Sequence, residues 1–311
     1  RSDTLRRRKR RNRRLKAVFL WLVCIVLTGL VIFGAVKLVG KFAGSGKDKL
    51  RKDGIEKLNA GDPEGAIADL DAALEKAGNK SNKPSGFNAD VLWYRAEAEL
   101  LLKDYEAASH TYDLVAEQGG DKISSLYMKA VCAGKLEDKD QAVSYYREAL
   151  GMEKEGVRSP GYEEALIAAG SACVKAQDSE TAKSLYEEAL NSGKTGEKLE
   201  SRIYNQLGLC QMAEEDYETA ADTFDKGYNA LITGYKAGTG AELDQAAAAI
   251  PKEDTQGLTL LKELAYNKAV CLEYRQQYRQ AQAEFETYIK VFGDDEDARH
   301  EIDFLKTRQE E

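Results

Sequence analysis

Ala130-Val131-Cys132-Ala133-Gly134-Lys135-Leu136-Glu137-Asp138-Lys139-Asp140-Gln141-Ala142-Val143-Ser144-Tyr145-Tyr146 is the stretch that decides the fold. A small residue, Ala130, is followed twelve positions later by Ala142 and four positions after that by Tyr146. Twelve residues is about the distance from the middle of one helix, round a tight turn, into the first turns of the next, so the stretch predicts a helical hairpin. Small residues let the two backbones approach, and the ring fills the layer shared with the next hairpin. The same triplet recurs as Gly54/Ala66/Leu70, Ala96/Ala108/Tyr112, Gly170/Ala182/Tyr186, Gly208/Ala220/Phe224 and Ala269/Ala281/Phe285. A hairpin repeated every few tens of residues predicts an all-α solenoid.

The pattern resembles the tetratricopeptide repeat (TPR), a thirty-four-residue unit with a small residue at position 8, alanine at 20, an aromatic at 24 and a small residue at 27. Position 27 is Ala73, Val115, Ala149, Ala189, Gly227 and Tyr288, of which four are small. Position 16, where an aspartate can cap the second helix, is Asp62, Asp104, Asp138, Asp178 and Asp216, with Gln277 as the exception. The aromatic usual at position 11 is replaced by Lys57, Glu99, Ala133, Cys173, Gln211 and Leu272. The resemblance covers residues 47–292. It implies a right-handed superhelical solenoid of about six TPR hairpins, and a role in binding or assembly.

The position-20 alanines lie 42, 34, 40, 38 and 61 residues apart, so extra residues enter between hairpins and not within them. Pro84, Pro160 and Pro251 fall in these connections, where a missing amide donor costs little. The longest insertion, 233–256, contains Ala246-Ala247-Ala248-Ala249, a run suited to a short surface helix. It reads as a lid, a contact site or a plain connection. After the last hairpin, 293–311 carries Ala298, Ile302 and Leu305 on one helical stripe, which predicts a helix capping the open end of the solenoid.

At the front, Ala17 to Val36 is a run of twenty residues without a charge. A helix of that length spans about 30 Å, so 17–39 is expected to be a transmembrane helix. Residues 1–16 carry ten Lys or Arg against Asp3 alone, whereas Lys37, Lys41, Lys47, Lys49, Arg51 and Lys52 follow the span. The larger N-terminal excess predicts a cytoplasmic arm (1–16), a short linker (40–46) and repeats displayed outside the cell membrane by a single-pass anchor. The apolar run is long for a cleaved signal peptide. Trp21-Leu22-Val23 lacks the small residues expected before a lipid-modified Cys24. The basic arm is explained by topology, without a nucleic-acid role.

Without the arm the chain holds 35 basic and 52 acidic residues, a net of about −17. Such a balance disfavours nucleic acid and favours a basic partner. Cys132, Cys210 and Cys271 fall at position 10 of their repeats and Cys173 at position 11. Equivalent positions in stacked repeats lie about 10 Å apart, too far for disulfides, so these cysteines are expected as buried thiols. The two histidines, His110 and His300, have no neighbouring nucleophile in the repeat register and are expected on the surface. No phosphate loop, GxSxG elbow, HExxH or metal-spaced Cys/His set occurs, so neither an enzyme activity nor a cofactor is expected.

What remains is a binding surface. The resemblance implies that first helices line a concave groove, chiefly through positions 2, 5, 9 and 12. Position 5 gives Trp93, Tyr127, Ile167, Asn205 and Tyr266 as groove candidates. Rings in a groove supply contact area at low entropic cost, although the same position could serve the core. The lysine and asparagine set with which some members clamp a peptide carboxylate is not matched. The expected function is a membrane-anchored scaffold or adaptor binding proteins or peptides, in envelope assembly, secretion or protein quality control. The alternative is a regulatory or accessory subunit of a membrane-associated enzyme complex, touching its partner through the insertion.

Overall fold

The computed structural model describes residues 46–78, 83–154, 157–238 and 240–308. The arm (1–16) and the expected transmembrane helix (17–39) lie outside the described residues. Among the described residues no helix is long and apolar enough to cross a membrane, and no strand is present.

Helices run in hairpins. In chain order they are α1 (46–59), α2 (Pro63–Ala77), α3 (Gly86–Leu101), α4 (Tyr105–Glu117), α5 (Lys122–Lys135), α6 (Lys139–Met152), α7 (Tyr162–Lys175) and α8 (Ser179–Asn191). They continue as α9 (Glu197–Ala213), α10 (Tyr217–Gly234), α11 (Leu243–Ala249), α12 (Thr255–Tyr274), α13 (Tyr278–Phe292) and α14 (Glu296–Arg308). Two compact units result, one ending at Lys103 and one starting at Asp104.

Each hairpin turn is written by the same local chemistry. Position 15 adopts a left-handed backbone: Gly61 with φ 79°, then Lys103, Glu137, Gln177, Glu215 and Gln276 with φ between 59° and 63°. At the fourth turn the Gln177 amide donates to the Val174 carbonyl (2.9 Å) and the Asp178 amide to the Cys173 carbonyl (2.8 Å), closing the first helix as a Schellman cap. Asp178 then accepts from the Thr181 amide and opens the second helix. Asp62, Asp104, Asp138 and Asp216 do the same. Gln277 makes no such bond.

In the first unit, Gly54 of α1 lies against Leu70 and the Ala66 carbonyl of α2, and α2 packs on α3. In the second, consecutive first helices stack, α5 on α7, α7 on α9 and α9 on α12, while each second helix covers its own hairpin. Ala142, Ala182, Ala220 and Ala281 are fully buried there, with Tyr146, Tyr186, Phe224 and Phe285 filling the layers. The 61-residue interval is explained by longer helices and one extra. α10 runs to Gly234, α12 has twenty residues, and between them α11 packs on α12 and α13. The alanine run therefore forms a helix that is covered on one side, burying Leu243 and Ala246, with Ile250 just beyond its end. α14 lies on α13 and buries Ala298, Ile302 and Leu305. The four described cysteines are buried.

Candidate functional site

The position-5 residues do not form one row. Trp93 belongs to the first unit, half-buried, and donates its indole N–H to Glu97 Oε1 at 2.7 Å. Tyr127 must be removed from the groove: it is fully buried, with ring centroids 6.1 Å from Tyr146 and 5.8 Å from Tyr162. The reason lies at the two ends of the connection between α6 and α7, where Gly161 comes against Tyr127. Glu153 accepts from the Ser159 amide (2.6 Å), and Arg158 lies over the Tyr162 ring. Tyr266 is half-buried and edge-on to Phe285 and Tyr288, at 5.3 and 5.7 Å, so it too serves packing.

Ile167 and Asn205 do come together. They line a cleft of about 400 Å³ bounded by α7, α9, the end of α10 and the first turns of α12. Its floor is a polar network. Asn205 is only 1% exposed. Its Nδ2 donates to Glu263 Oε2 at 2.9 Å, and its Oδ1 accepts from Asn267 Nδ2 at 3.2 Å. Ser171 Oγ donates to Gln206 Oε1 at 3.3 Å, joining α7 to α9. Buried amides are costly unless bonded, and here the bonds are made between side chains of adjacent first helices.

The rim carries two ion pairs. Arg202 meets Glu163 of α7 at 3.6 Å, and Lys198 meets Asp254, the N-cap of α12, at 3.3 Å. Tyr235 donates its hydroxyl to Asp254, and Lys198 sits 4.0 Å above the Tyr235 ring. The Tyr235 hydrogen bond, the Gly257 amide and Lys198 together hold the Asp254 carboxyl below its ordinary value. Tyr235 and Asp254 also tie together the two ends of the connection that carries α11. A Cβ at Gly257 would come 2.2 Å from the Tyr235 hydroxyl oxygen, so a larger residue there would displace the Tyr235 ring.

Arg202, Glu163, Lys198, Gln206, Tyr235, Asp254 and Glu263 were not named by sequence reading. Arg202 and Glu263 occupy position 2, one of the groove positions, and a scan of that column would have found them. Tyr235, Asp254 and the neighbouring Lys198 depend on how the insertion closes, for which the sequence carries no periodic signal. Among the described residues no group of three His, Cys, Asp or Glu side chains is placed to hold a metal ion.

Residues 52–122 match a family profile described as tetratricopeptide repeat, and residues 123–155 match a second profile of the same description. The second match begins at Ile123, which is position 1 of the repeat whose position 8 is Ala130. Residues 52–155 are therefore tetratricopeptide repeats. Among solved structures, the apo form of the quorum sensor NprR from B. thuringiensis is 13% identical, with 83% of this chain and 68% of that chain covered and a TM-score of 0.57. A tetratricopeptide repeat protein from Parabacteroides merdae ATCC 43184 is also 13% identical, over 84% of this chain and 99% of that chain, with a TM-score of 0.48. At such identity the first likeness speaks for the fold alone. Such repeats support a protein or peptide as the class of partner.

Proposed function

We propose that this TPR protein is a membrane-anchored scaffold that holds a segment of a partner protein in the cleft between α7, α9 and α12. The observation that carries the proposal is the bonded network of Ser171, Gln206, Asn205, Asn267 and Glu263, presented by three consecutive first helices. Gln206, held by Ser171, lines the cleft with its amide already oriented for a peptide main chain, so that less side-chain freedom is lost on binding. Ile167 and Leu260 give the same cleft an apolar wall. An apolar wall beside fixed polar groups is a usual composition of a specific binding site.

The anchor is the uncharged run Ala17–Val36, and the charge excess of the preceding arm supports an extracytoplasmic repeat domain. Two experiments test the proposal. Affinity capture from detergent-solubilised membranes with the full chain and with Thr259→Trp, which fills the cleft from an exposed position on α12, should show partners lost from the variant. Protease treatment of cells with an intact cytoplasmic membrane should digest the repeats. Digestion only after lysis would refute the orientation.

A further inference from the structure

Among the described residues, one carboxylate of the cleft, Glu263, makes no ion pair. Of its charged lining groups, Arg202 is engaged by Glu163 and Lys198 by Asp254. Glu263 is bonded by Asn205 alone, and no ion pair to it is found among the described residues. Asn205 is 1% exposed and is itself fixed by Asn267, so the orientation of the Glu263 carboxylate is set from beneath while Glu263 stays exposed at the cleft wall. The equivalent position is Ile167 in the preceding repeat and Tyr266 in the following one, both apolar or aromatic. A buried asparagine in that column is costly to place. Here its hydrogen bonds aim a carboxylate.

We infer that the cleft takes a partner segment bearing a lysine or arginine side chain, with Glu263 as its counter-ion. This rests on the cleft reading given above. The aliphatic stem of such a side chain can lie along Ile167 and Leu260 while its head reaches Glu263. A charge-assisted bond to a carboxylate is roughly twice as strong as a neutral one. The net charge of about −17 outside the arm would steer a basic segment toward the domain.

The test uses the full chain in detergent micelles, immobilised and exposed to an equimolar random decapeptide library. Peptides retained by the wild type should be enriched in Lys and Arg. Glu263→Gln keeps the bond to Asn205 but removes the charge, and it should erase that enrichment. A retained peptide and its counterpart with citrulline for arginine should differ about tenfold in Kd on the wild type and bind Glu263→Gln equally. Retention without basic enrichment, enrichment that persists in Glu263→Gln, or no retention at all would overturn the inference. Thr259→Trp separates the two readings. If it abolishes retention of an unbiased pool, the cleft stands and the counter-ion role falls; if retention survives it, the cleft reading falls as well.

Discussion

The ring of Phe224 lies directly against the backbone of Gly208, so that a methyl group added at Gly208 would sit 2.5 Å from Phe224 Cε1. Gly170 and Tyr186 stand in the same relation, at 2.2 Å to Tyr186 Cζ. In these hairpins the position-24 ring occupies the space that a position-8 side chain would need. Gly208→Ala is therefore expected to destabilise the repeats by about 1–3 kcal/mol, the usual cost of overpacking. Pairing it with Phe224→Leu should cost less than the sum of the two single changes. Urea midpoints at constant slope measure this, and strict additivity would contradict the contact.

The turn residues offer the opposite sign. Gln177 is held at φ 59°, a left-handed conformation that costs a side-chain-bearing residue about 1 kcal/mol. Gln177→Gly should raise stability by up to that amount, whereas Gly61→Ala, at φ 79°, should lower it by about 1 kcal/mol. A matching shift in both thermal midpoints would contradict the turn geometry.

At the sixth turn, Gln277 leaves α13 without the side-chain cap that aspartate gives the equivalent helix in the other five repeats. Gln277→Asp is expected to stabilise by about 1 kcal/mol. Slower amide exchange in the first turn of α13 should accompany it.

The C-terminal end is sensitive to pH. Burial, with the adjacent Glu301 of α14, raises the Glu273 carboxyl from its ordinary 4.5 to about 7. The folded state thus holds this proton more tightly than the unfolded chain does. The resulting stabilisation is complete below about 4.5 and is lost as pH rises through about 7. Exchange of the α14 amides, corrected for intrinsic rates, should quicken between pH 6 and 8 in the wild type (on the order of the window that linkage sets). In Glu273→Gln it should not.

The buried thiols are expected to be inert. Burial pushes Cys210 up to about 11 and Cys271 to about 12, so little thiolate exists near neutral pH. Alkylation of Cys210 and Cys271 by iodoacetamide should follow the unfolding curve in urea, and their rapid labelling in the native protein would contradict this burial.

The hairpins were legible in the sequence because their determinants are local and repeated: Ala130, Ala142 and Tyr146 recur at fixed spacing, and Asp138 announces the turn. The groove was not, because position 5 serves different ends in different repeats. Tyr127 was taken from it by the connection around Glu153 and Arg158, whose sequence carries no periodicity. Asn205 was placed in it by partners 58 and 62 residues away, Glu263 and Asn267, across the longest insertion. Contacts over such separations depend on how the intervening chain closes, and here that closure rests on the Tyr235 bond to Asp254.

A photo-crosslinking amino acid placed singly in the full chain, at Gln256 in the cleft or at the exposed Glu187 of α8, tests the central claim most directly in intact membranes. The account predicts a discrete protein adduct from position 256, abolished by Thr259→Trp, and none from position 187. Adducts of equal yield from both positions, or from position 187 alone, would contradict it.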